Sequence, residues 1–137
     1  MADPRDSMMV SAMGMRAQSA RMRIISENIA NVNSTSREAG GEPYRRQLPV
    51  FEAELDRATG MSMVRMTDAV HDNSEFTLRH EPDHPAANAD GYVMYSNVNT
   101  FIEMADMREA MRSYEANLNM IENHRRMLER TLDLLRR

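Results

Sequence analysis

The side chains in this sequence with the types needed for chemistry are histidines set among carboxylates. "VHDNSE" at 70–75 and "HEPDHP" at 80–85 bring His71, His80 and His84 near Asp72, Glu81 and Asp83. Imidazole and carboxylate are the ligands a zinc or transition-metal site would use. His80 and His84 have the four-residue spacing that serves a metal only on a helix, and Pro82 between them breaks that helix. A turn that holds surface histidines is the better reading, so no metal and no cofactor are expected. There is no cysteine, hence no thiol chemistry and no disulfide framework. The sequence holds no Gly-rich phosphate loop, no Ser/His/Asp order in a fitting context and no paired carboxylates in a pocket-forming frame. It reads as a non-enzyme. His124-Arg125-Arg126 is a short basic cluster, but Glu122 and Glu129 share its helix and the net charge is −4. That describes a solvated face, and no nucleic-acid partner is expected.

The residues left to build a core are of an unusual mix. Hydrophobic content is 42% of 137 residues, yet aromatics make up 5%, Trp is absent and Met occurs 15 times. Met is a flexible filler that suits interfaces which must adapt. All 17 basic residues are Arg, a compositional bias that also favours multi-contact polar interfaces. "MADPRDSMMV" lacks a basic segment followed by an apolar one, so no Sec-type signal peptide is expected, and no stretch is apolar over a bilayer's width.

Two elements frame the chain. Met8, Ala12, Met15, Ser19, Met22, Ile25, Ile29 and Val32 recur every three or four residues, which predicts a helix from Asp6 to about Val32, capped by Asp6 or Ser7. Met104, Met107, Met111, Tyr114, Leu118, Ile121, Arg125, Leu128, Leu132 and Leu135 form a heptad seam interrupted once, at Arg125. This predicts a second helix over about 100–135, with Asn99 or Thr100 as its cap and Glu103 completing a capping box. Between them, "YRRQLPVFEAEL" (44–55), "MSMVRMTDAVH" (61–71), Glu75–His80 and "GYVMY" (91–95) read as short strands. "DRATGMS" at 56–62 reads as a hairpin tip.

The expected fold is therefore α+β: long N- and C-terminal helices in an antiparallel coiled coil, with a small hairpin-rich insert. The expected divisions are 1–36, 37–98 and 99–137. The Asn-rich words "NVNSTS" and "SNVNT" fall at the two boundaries, since Asn tolerates the left-handed backbone that ends a helix and also caps helix starts. Met9, Val10, Met13, Ile24, Ile102, Met120, Met127 and Leu134 lie off the main stripes. Such broad apolar faces on one small chain mark an interface. A cytosolic coiled-coil adaptor with a β insert is the competing interpretation of the same pattern.

"IISENIANVNSTS" (24–36) resembles the N-terminal signature of the bacterial flagellar basal-body rod proteins, a helix closing on an Asn-Ile-Ala-Asn-x-Asn word. "MADMREAMRSYEANLNMIENHRRMLERTLDLL" (104–135) is similar to their C-terminal helix with its Tyr-x-Ala-Asn word, and "YRRQLPVFEAEL" and "PDHPAANADGYVMYSNVN" resemble the proximal-rod branch. The family words are Asn28, Ile29, Ala30, Asn31, Asn33 and Thr35, then Tyr114, Ala116 and Asn117. The resemblance implies a structural subunit that self-assembles in a helical rod, transmitting torque from the membrane ring to the hook. It implies contacts with other proximal and distal rod proteins, the rod-to-ring adaptor and the ring. It implies a rod crossing the periplasm, built from chains exported by the flagellar type III apparatus without a cleaved signal. The seam expected to serve assembly is Met15, Met22, Ile25 and Ile29 with Met104, Met107, Met111, Tyr114, Leu118, Ile121, Leu128 and Leu132.

Overall fold

A computed structural model describes residues 4–137. Helix α1 runs Pro4–Ala30 and helix α2 Thr100–Leu135. Between them lie β1 (Gln47–Leu48), β2 (Phe51–Asp56), β3 (Met61–Met66), β4 (Val70–His71), β5 (Thr77–His80) and β6 (Tyr92–Tyr95). The strands make three separate two-stranded antiparallel ladders, β1 with β4, β2 with β3 and β5 with β6. Two terminal helices with a small antiparallel insert make this an α+β chain. No described helix is long and apolar enough to cross a membrane.

Contacts divide the chain into two compact units. One holds the described part of Met1–Met22 with Phe51–Thr67 and Arg108–Arg137, and the other holds Arg23–Val50 and Asp68–Met107. In the first, β2 and β3 form a six-pair hairpin from Phe51↔Met66 to Asp56↔Met61. Its tip closes as read from "DRATGMS": Gly60 takes φ +71°, its N–H donates to Asp56 O at 2.7 Å, and Ala58 N–H donates to Asp56 Oδ1 at 2.9 Å. In the second, β1 pairs with β4, and β5 with β6, around Ile24, Ile25, Ala86, Val93 and Val98, all buried. Pro49 and Val50 separate β1 from β2, as expected of a residue that cannot donate to a ladder.

α1 is helical from Pro4, earlier than a cap at Asp6 or Ser7 would have it, and Pro is tolerated in a first turn because its missing N–H has no partner there. It ends at Ala30 without a left-handed residue, since every positive-φ position among the described residues is a glycine. Asn31 closes the last turn twice over: its N–H donates to Glu27 O at 3.2 Å and its side-chain Nδ2 to the same carbonyl at 2.8 Å. α2 starts on Asn99, whose Oδ1 accepts from Phe101 N–H at 3.0 Å. Glu103 does not close a capping box. It points into the second unit, buried.

Glu103 lies on the shielded side of α2. Beyond Thr100, the shielded positions are Glu103, Asp106, Met107, Ala110, Ser113, Tyr114, Asn117, Ile121, His124 and Leu128. Met104, Met111, Leu118 and Arg125, each one residue later than a shielded position, are exposed. The expected seam joins Met104, Met111, Leu118 and Arg125 to Met107, Tyr114, Ile121 and Leu128; the second set stays shielded while Glu103, Ala110, Asn117 and His124 replace the first, a turn of the shielded face by roughly 50°.

Candidate functional site

A buried polar assembly in the second unit is built on Asn28, the first Asn of the signature word. Its side chain is 1% exposed. Nδ2 donates to Gln47 O at 2.8 Å and to Glu103 Oε2 at 3.1 Å. Oδ1 accepts from Tyr44 O–H at 2.8 Å and from Gln47 N–H at 3.0 Å. Two donors and two lone pairs are therefore all used, the condition under which a buried amide stabilises. One side chain ties α1 to α2 and to strand β1.

Glu103 is equally buried at 1% exposure, and an isolated carboxylate there would be costly. It accepts from Asn28 and is paired with Arg46 through Nε. The Arg46 guanidinium also reaches Asp72 Oδ2 at 3.3 Å and Asp106 Oδ2 at 3.6 Å. Burial pulls the Arg46 pKa down, but Glu103 and then Asp72 outweigh it and the net shift is upward, so the cation is held. Asp72 is shifted below its ordinary value, first because Ser74 N–H donates to its Oδ1 at 2.9 Å and further because of Arg46. The Tyr44 hydroxyl is shifted up, by burial and then by Glu27 and Glu103, and stays the proton donor to Asn28.

Asn97, from the second Asn-rich word, ties down the insert. Its Oδ1 accepts from Arg46 N–H at 2.7 Å, and its Nδ2 donates to Asp72 O at 3.0 Å and Ser74 Oγ at 2.9 Å. Sequence reading treated "SNVNT" as a boundary and missed this role. It also missed Tyr44, Arg46 and Asp72, which carry no periodic signal. The recurrence of the Asn word was the available clue for Asn97.

In the first unit the helices run antiparallel. Arg21 Nη2 meets Glu109 Oε2 at 3.3 Å, while Gly14 lies against Asn117. A Cβ on Gly14 would stand 2.9 Å from Asn117 Nδ2, so the close approach needs glycine or a displaced amide. Asn117 itself donates to Ser113 O at 3.0 Å. An open apolar groove of about 520 Å³, lined by Met9, Met13, Met15, Tyr114 and Ile121 among others, runs beside this pair.

The proposed seam residues fall into two groups. Ile25 is buried, and Met15, Met22, Ile29, Met107, Tyr114, Ile121 and Leu128 are half-buried. Met104, Met111, Leu118 and Leu132 are exposed. Of the family words, Asn28 and Asn31 make the bonds given above, Ile29 and Thr35 are half-buried, and Ala30, Asn33 and Ala116 are exposed. The histidines hold turns and rings: Ala86 N–H donates to His84 Nδ1 at 3.0 Å, and His80 packs edge-on to Tyr92 with centroids 5.0 Å apart. Among the described residues no three His, Asp or Glu side chains gather as a metal site.

Comparison with known proteins bears on this arrangement directly. The family model for flagella basal body rod protein matches residues 8–37, and that for the flagellar basal body rod FlgEFG protein C-terminal region matches residues 89–134. The flagellar basal-body rod protein FlgC of Agrobacterium fabrum is 45% identical over 127 residues, covering 93% of this chain and 91% of that one. The chain belongs to the FlgC family of flagellar basal-body rod proteins. FlgC of Borreliella burgdorferi is 37% identical over 147 residues (94% and 95% of the two chains), and FlgC of Aquifex aeolicus 35% over 133 residues (97% and 98%). As a FlgC-family member it is a structural subunit of the flagellar basal-body rod, assembled there with other flagellar components, and not an enzyme. The two matched regions contain both ends of the polar assembly: Asn28 lies in the first, Asn97 and Glu103 in the second.

Proposed function

We propose that this chain is a proximal-rod subunit that polymerises through its terminal helices and carries torque from the membrane ring to the hook. The observation that supports this best is the outer side of α2. Phe101 is 84% exposed, and Met104, Met111, Leu118 and Leu132 repeat at sevens with 38–59% exposure. A helix with apolar residues on its shielded side and a second apolar heptad facing solvent needs a further helix to cover it, the arrangement of a multi-helix coiled coil. The seam drawn from Met15 through Ile29 and from Met104 through Leu132 is then shared between the chain's own helix pair and its neighbours. In this reading the terminal helices form the polymerising part and residues 37–98 the outer, strand-rich part.

Many parallel helix contacts spread a shear load over a large area, which suits a rotating shaft. The neighbours are other copies, other proximal and distal rod proteins, and the adaptor and ring at the base. The route outward is the flagellar type III exporter, ending in a rod that crosses the periplasm. A chain whose helices complete their burial only on assembly is easily threaded unfolded.

The test is a strain lacking this chain, complemented with wild type or with Met111→Glu/Leu118→Glu. Wild type restores hooks and swimming. The charged variant is exported but builds no rod. Normal swimming with the charged variant would refute the assembly role of this stripe.

A further inference from the structure

An apolar heptad is degenerate: sliding one helix past another by seven residues meets much the same surface. α2 has this degeneracy along Met107, Tyr114, Ile121 and Leu128, beside the half-buried polar Asn117 and His124. Something must choose one alignment. The exposed Arg125, the one polar residue in the apolar heptad, lies beside Glu122, Arg126 and Glu129 on the surface and cannot do so from there. Asn28 and Glu103 differ in being 1% exposed each and bonded to each other at 3.1 Å. A slip of one heptad would carry Asn28 from Glu103 to Ala110, leaving a buried carboxylate short of one donor and a buried amide short of one acceptor.

We propose that the Asn28–Glu103 contact is the register key of the helix pair, selecting one axial alignment of α1 against α2 where the apolar residues would accept several. A single buried polar contact that fixes alignment is an established use of such groups in helix bundles. The rest of the hub makes the key dependable. Gln47 and Tyr44 hold the other three positions of the Asn28 amide, so its Nδ2 cannot swing away from Glu103 without breaking those bonds. Arg46 fixes the Glu103 carboxylate from the opposite side. Asn28 and Glu103 are thus positioning residues: they set α1 and α2 in register where the two helices meet in the second unit.

The absence of cysteine makes the test direct. Ser26→Cys and Ala105→Cys, both at exposed positions, carry spin labels in the full-length chain. Double electron–electron resonance then reads their separation. With the hub intact, one narrow distance is expected. Glu103→Leu removes the cross-helix contact but leaves Arg46 its pairs with Asp72 and Asp106, and leaves Asn28 its bonds to Gln47 and Tyr44. A second population is expected, displaced by about 10 Å along the helix axis for a one-heptad slip. Glu103→Gln keeps an acceptor for Asn28 and retains the single distance. One unchanged narrow distance in Glu103→Leu would overturn the proposal. So would splitting in Glu103→Gln, which would make Arg46 pairing the determinant. Failure of Glu103→Leu to fold would also overturn it, because the contact would then supply stability and not alignment.

Discussion

Asn28 is the side chain on which the second unit turns, since its amide joins three elements and leaves no hydrogen-bonding position unmet. Asn28→Ala strands Glu103, Tyr44 and the Gln47 backbone together. The expected loss is about 3 kcal/mol, measured as a fall in the urea midpoint, because the buried partners keep their desolvation cost without their bonds. Asp72 gives a pH signature. Its folded pKa lies below the ordinary 3.8, so its stabilisation is fully present above that value and is lost as pH falls through the folded pKa. Urea midpoints measured from pH 5 to about 2 should drop on the acid side, and Asp72→Asn should flatten that part of the drop. The sequence showed Asn28 and Asn31 as a family word but not what they touch. Glu103 misled because a carboxylate three residues beyond a helix start suits a capping box as well as a buried ion pair; only the position of Arg46, 57 residues away, decides between them.

At the scale of elements, helices α1 and α2 were legible because periodicity is a local property. Both are found within a few residues of the expected spans. The β2–β3 hairpin was legible for the same reason, its alternation and turn residues being adjacent in the chain. The pairing of β1 with β4 and β5 with β6 was not, because two-residue and four-residue strands carry too little pattern to specify a partner. Nor was the rotation of α2, whose buried Glu103 meets Asn28 and Arg46, both distant in sequence. Gly14 shows how tightly the helices meet in the first unit. Gly14→Val drives a side chain into the Asn117 amide, and such overpacking costs about 1–3 kcal/mol. Cells complemented with this variant should yield fewer hook–basal bodies, and adding Asn117→Ala should recover part of the loss. Equal deficits in the single and double variants would show that the two positions do not couple.

For the whole molecule, the buried apolar residues among those described are few: Ala17, Ile24, Ile25, Ala86, Val93, Val98 and Ala110. Three are alanines, while Met104, Met111, Leu118, Met120, Met127, Leu132, Leu134 and Leu135 are exposed. Arg125 interrupts the outer heptad between Leu118 and Leu132. Arg125→Leu should therefore strengthen self-association, seen as a larger weight-average mass in sedimentation equilibrium, while leaving the fold unchanged. The account's central claim is that the terminal helices complete their burial on other subunits. Circular dichroism of the full-length chain across a dilution series tests it most directly. The account predicts helicity well short of the 27 and 36 residues of α1 and α2 in dilute monomer, rising as subunits associate. Full helicity in dilute monomer, undiminished when either terminus is removed, would contradict it.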